Sequence, residues 1–140
     1  MDRGKTIAEI TPGQTFEKSF TMTEERIRDY AQATGDNNPI HMDPEAGAKS
    51  IFGQRVAQGM LSAGFISGVL GTQFPGSGTI YLSQAVKFLK PVFLGDVITV
   101  RLEVTEIMTE KNRLRLATTC RNQRGQEVLK GEAVVMPPKT

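Results

Sequence analysis

A chain of 140 residues with 17 basic and 15 acidic side chains is long enough for one core, and its net charge of only +2 is spread evenly. That argues against the clustered basic footprint of a nucleic-acid binder, and one histidine with one cysteine argues against a zinc site of the usual ligand set. A lone cysteine, Cys120, excludes an internal disulfide and suits a reducing cytoplasm, while residues 1–5 lack the apolar centre of a signal peptide and no run approaches the length of a membrane span.

In chain order, Thr15 to Phe20 reads as a short strand. Thr23 is placed to cap a helix whose first turn holds Glu24 and Glu25; Ile27, Tyr30, Ala31 and Thr34 recur at helical spacing, and Gly35 ends it. Asp36-Asn37-Asn38-Pro39 is made of turn formers, and Pro39 pushes Asn38 into an extended conformation, so the preceding helix cannot simply continue. Asp43-Pro44 opens a short helix to about Lys49. From Val56 to Gly71 runs the most apolar window, without a charge and with apolar residues on every face, which predicts a helix buried all round. Its glycines, Gly59, Gly64, Gly68 and Gly71, each weaken an isolated helix by roughly 1 kcal/mol relative to alanine, so close approach of other backbone is expected.

After a turn at Pro75–Gly78 the remainder reads as strand. Thr79 to Leu89 mixes apolar and polar residues; Ile98, Val100, Leu102 and Val104 alternate with polar residues; Leu114, Leu116, Thr118 and Cys120 repeat the pattern; and Glu127 to Met136 closes it before Pro137-Pro138. The short turns at Glu110–Asn112 and Arg124–Gln126 imply antiparallel neighbours. One antiparallel sheet and one apolar helix make an α+β domain over residues 1–140, with the sheet wrapped around the helix.

Chemistry concentrates at Asp36 and His41, five residues apart around a rigid turn. One carboxylate and one imidazole held close can position a single water and move its protons, and an imidazole is the side chain suited to take a proton near neutral pH. Gly59, near the amino end of the apolar helix, offers an unencumbered N–H at the positive end of the dipole, a natural site for a developing oxyanion; the plainer reading is a glycine kept for packing.

Three segments together resemble one family. Asp36-x-Asn38-Pro39-x-His41, the Gly59-Met60-Leu61 helix and Phe88-x-x-Pro91-Val92-x-x-Gly95-Asp96 look like the MaoC-like hot-dog-fold hydratases, specifically the R-specific enoyl-CoA hydratases, over about Thr11 to Met136. Many members carry histidine before Gly-Met-Leu, where this chain has Gln58. The resemblance implies a hot dog fold, a homodimer or dimer of dimers with sheets joined edge to edge, and reversible R-specific hydration of a trans-2-enoyl-CoA without a cofactor. It implies Asp36 and His41 as catalytic pair, Asn38 orienting them, the Gly59 N–H binding the thioester oxygen, and Ser67, Leu70 and Val135 in the acyl pocket, though ordinary core explains those three nearly as well. Lys87 and Lys90 are candidates for the CoA phosphates. Other readings stand beside this one: a dehydratase acting on acyl carrier protein, a hot dog thioesterase, and a non-catalytic acyl-thioester binding module.

Overall fold

A computed structural model of the chain describes residues 2–140. The elements run β1 (Thr15–Thr21), α1 (Glu24–Thr34), α2 (Pro39–Met42), α3 (Pro44–Lys49), α4 (Gly59–Thr72), β2 (Ile80–Phe88), β3 (Val97–Met108), β4 (Arg113–Arg121) and β5 (Glu127–Met136). The strands form one antiparallel sheet in the order β1-β3-β4-β5-β2, leaving β1 and β2 as edges. This is the hot dog arrangement, with α4 as the filling.

Alternation along the central strands does what a period of two requires. Ile98, Val100, Leu102, Leu114, Leu116 and Cys120 turn inward and are fully buried in one cluster with Ile66, Val69 and Leu70 of α4. Burial pushes the Cys120 thiol up to about 12, so it behaves as a small hydrophobe rather than a nucleophile. The opposite face carries charge: Arg115 bridges Glu106 at 3.1 Å and Glu132 at 2.8 Å, and Arg101 reaches Glu103 at 3.0 Å.

Caps fall where the residues call for them. The Thr23 hydroxyl accepts from Arg26 N–H at 3.1 Å, and Gly35 closes α1 in the left-handed region at φ 80°. Two expectations about the apolar helix need correction. It starts at Gly59, because Val56–Gln58 is extended and Val56 bridges to Phe93. It is also not buried all round: Ile66, Val69 and Leu70 face the sheet, while Gly64, Ser67 and Gly68 form an exposed strip of small residues. The residues on that strip are too small to read as polar, which is why the segment looked uniformly apolar. Among the described residues no helix is long and apolar enough to cross a membrane.

Candidate active site

The site is assembled by the loop after α1 and the extended strap before α4. Asn38 is extended ahead of Pro39, and its Oδ1 accepts from Ile40 N–H at 3.2 Å, capping the one-turn helix α2. That turn was not expected from the sequence, although Asn38-Pro39 carries the same cap-then-proline signal as Asp43-Pro44. It aims His41 inward, where the residue is 8% exposed and Nδ1 lies 2.7 Å from the carbonyl oxygen of Val56. A carbonyl only accepts, so Nδ1 carries the proton and Nε2 presents its lone pair.

That lone pair looks towards Asp36, whose Oδ1 is 4.0 Å from Nε2. The separation is too long for a direct hydrogen bond, and a water making bonds of about 2.8 Å to both atoms fits it. Gly35 reverses the chain to place Asp36, whose N–H donates to Thr34 Oγ1 at 3.1 Å. Gln58, buried at the end of the strap, donates from Nε2 to the carbonyls of Ile27 at 3.1 Å and Asp36 at 3.3 Å. Arg55 completes the frame: its Nε donates to the His41 carbonyl at 2.8 Å while its other nitrogens grip Glu24 at 3.1 and 2.6 Å. Val56 N–H donates to the Ile40 carbonyl and Ala57 N–H to the Val92 carbonyl, at 3.2 and 2.7 Å. Neither Arg55 nor its contact with Glu24, 31 residues away, left any signal in the sequence.

Asp36, His41 and Gly59 share the wall of a cleft of about 480 Å³. Gly59 is the first residue of α4, so its N–H has no acceptor within the helix. A Cβ there would stand 2.9 Å from the Phe88 ring, so only glycine keeps backbone and ring this close. The rest of the wall is largely apolar, with Phe52, Met60, Phe88, Val128 and Leu129 among its members and Tyr30 and Lys90 also present. Pro91 and Val92 of the third motif line it too, whereas Asp96 holds the following turn by accepting from Phe93 N–H at 2.9 Å.

Several expected roles change. The Asn38 side chain caps α2 and bonds neither Asp36 nor His41; it acts on the pair only through the backbone it shapes. Ser67, Leu70 and Val135 do not line the cleft of this chain: Leu70 and Val135 are core, and Ser67 sits on the exposed strip of α4. Helical spacing could relate Ser67 to Leu70 but could not say which side faced the sheet. Lys90 is on the cleft, whereas Lys87 alternates to the side of β2 opposite Phe88 and lies off it.

Residues 7–124 match the MaoC-like domain family. The chain belongs to that family. It is 47% identical over 110 residues to a 3-hydroxybutyryl-CoA dehydratase of Methylorubrum extorquens, covering 79% of this chain and 69% of that protein. It is 42% identical over 130 residues to an (R)-specific enoyl-CoA hydratase of Rhodospirillum rubrum, covering 93% and 90%. Among solved structures, the unliganded R-hydratase PhaJ1 of Pseudomonas aeruginosa superposes with a TM-score of 0.94 at 42% identity, over 98% of this chain and 88% of that one. The (R)-hydratase of A. caviae, at 38% identity, gives 0.89 over 92% and 98%.

The frame around His41 carries a pH signature. Hydrogen bonds from Arg55, with a smaller contribution from Arg28, hold the Glu24 carboxyl below its ordinary value of 4.5. A depressed folded value means stabilisation that is complete above the ordinary value and lost as pH falls through the lowered one. Denaturant unfolding should therefore find Glu24→Gln less stable than the parent at pH 7, the gap narrowing steadily below pH of about 4.5. A gap that stays the same width to pH of about 2 would contradict this assignment.

Proposed function

We propose that this chain is a hydro-lyase that adds water reversibly across the double bond of a trans-2-enoyl-CoA to give the (R)-3-hydroxyacyl-CoA. The observation that carries the reading is the 4.0 Å gap between Asp36 Oδ1 and a His41 Nε2 whose partner nitrogen is tied to a carbonyl. In this scheme the pair holds one water. As the water oxygen attacks C3, Nε2 takes one of its protons. Asp36 delivers a proton to C2 and recovers one from His41, so each turnover puts one water proton on carbon and leaves the pair as it began. Charge that builds on the thioester oxygen is met by the Gly59 N–H at the start of α4, and Phe88 packs against that glycine. Delivery of oxygen and proton from one side makes the addition syn, and the same steps reversed are dehydration.

Relatives at 47% and 42% identity whose names specify CoA esters support CoA as carrier, and Lys90 on the cleft is our candidate for a phosphate contact. No cofactor takes part in the scheme. The free buried thiol of Cys120 is in keeping with a cytoplasmic enzyme, and the chain forms one MaoC-like domain.

Loss of either member of the pair should remove most of the rate and leave the fold. His41→Ala and Asp36→Asn are each expected to lower kcat by about 10²–10⁴, measured as loss of enoyl-thioester absorbance. The double variant should fall little further, because both residues handle the same water. Near-normal hydration in both single variants would overturn the assignment.

The reading includes a homodimer joined at β2. That edge strand is exposed on both faces and shows Ile80, Tyr81, Leu82 and Phe88 to solvent in a single chain, a surface that invites a second strand. Sedimentation at assay concentration should find a dimer or a dimer of dimers, and Leu82→Lys should shift it towards monomer. A fully active monomer would rule this assembly out.

A further inference from the structure

His41 stands on a helix of a single turn, too short to hold its own shape in water. Its carboxyl end is held from the segments that follow. The Pro39 carbonyl accepts from Asp43 N–H at 2.8 Å, the Ile40 carbonyl from Val56 N–H at 3.2 Å, and the His41 carbonyl from Arg55 Nε at 2.8 Å. Of these three donors only Arg55 is a side chain, the C-terminal role that a basic residue can play on a helix.

Arg55 is itself braced against moving. A Cβ on Gly47 would stand 2.5 Å from the Arg55 backbone nitrogen, so α3 lies directly on that backbone. Nη1 and Nη2 meet the two carboxylate oxygens of Glu24 at 3.1 and 2.6 Å, and the arginine side chain is only 10% exposed. Holding a carboxylate with two nitrogens and a carbonyl with the third suits a planar guanidinium and is beyond a lysine ammonium. Arg28 steadies the anchor from the next turn, its Nη2 3.0 Å from Glu24 Oε1.

Where the anchor lies gives the clamp its consequence. Glu24 is the first residue of α1, and Asp36 follows the Gly35 cap at the other end. A helix of 11 residues is a rod about 16 Å long. One end of the rod carries Asp36, and the clamp ties His41 to the other. Without the clamp α2 keeps its contacts with Val56 but loses its tie to the amino end of α1.

We propose that Arg55, braced by Glu24, is a positioning residue that sets the 4.0 Å gap between Asp36 and His41. This rests on the hydratase reading above. Arg55 does not line the cleft, so it acts on the reaction only through His41.

His41 is the only histidine, so isotope-labelled histidine reports on it alone in nitrogen NMR. At a pH where the imidazole is neutral, the wild type should show one tautomer with the proton on Nδ1. Arg55→Met removes every donor and keeps an apolar stem. Its ring should show the averaged signals of exchanging tautomers, and kcat on trans-2-butenoyl-CoA should fall by about 10–100-fold with KM held within about twofold. Arg55→Lys, which retains a charge and a donor, should recover part of the loss. The control is Arg115→Met, which removes a guanidinium shared by Glu106 and Glu132 on the outer sheet face and should leave both readouts as in the wild type. An Arg55→Met protein whose imidazole signals or kcat match the wild type would overturn the proposal, as would an Arg115→Met protein that loses as much. A wild type inactive on enoyl-CoA, with an imidazole that still responds to Arg55→Met alone, would overturn the hydratase reading and leave the clamp standing. Should Arg55→Met fail to fold, Glu24→Gln releases the guanidinium without deleting it and is judged by the same two readouts.

Discussion

The strap Val56–Gln58 is the constraint on which the rest of the site depends. It runs extended between α3 and α4 and is fixed on both sides, by Val56 N–H to the Ile40 carbonyl and by Ala57 N–H to the Val92 carbonyl. From this anchored position its own groups set both members of the pair. The Val56 carbonyl selects the tautomer and direction of His41, and the Gln58 amide holds the backbone of Asp36. The strap then becomes α4 at Gly59, so the free N–H that would meet the thioester oxygen is in register with the pair by covalent connection. Small displacements matter at such a site, because catalysis by positioned groups depends on sub-ångström placement. Backbone-anchored scaffolding resists them better than side chains alone.

This explains why the third motif belongs with the other two. Val92 supplies the carbonyl that pins the strap, Phe88 closes over Gly59, and Asp96 locks the turn that follows. Residues far apart in sequence serve one geometric end. The sheet provides the rigidity: its inward alternating side chains pack on α4, and the helix that carries Gly59 cannot shift without opening that core.

Much of the fold could be read from the residues, since β3, β4 and β5 alternate cleanly and Thr23, Gly35 and Asp43 are strong local signals. Asp36 and His41 were legible because only one histidine is present and a proline turn holds it near a carboxylate. What was not legible depended on direction. Periodicity grouped Ser67 with Leu70 but could not tell that one faces solvent and the other the core. Asn38 lies beside the pair, but its amide caps a turn too short for a periodic signal to reveal. The Arg55–Glu24 clamp is a tertiary fact, set by which surfaces meet. No local pattern records it.

In the proposed scheme, one water between Asp36 and His41 gives its oxygen to C3 while Asp36 delivers a proton to C2 on the same face of the double bond. Running the reaction on trans-2-butenoyl-CoA in deuterium oxide and locating the label by proton NMR tests this directly. The account requires one deuterium at C2, on the same face as the new C3 hydroxyl, in a single product. Deuterium on the opposite face, an even mixture of faces, or release of free CoA in place of the hydroxyacyl product would contradict it.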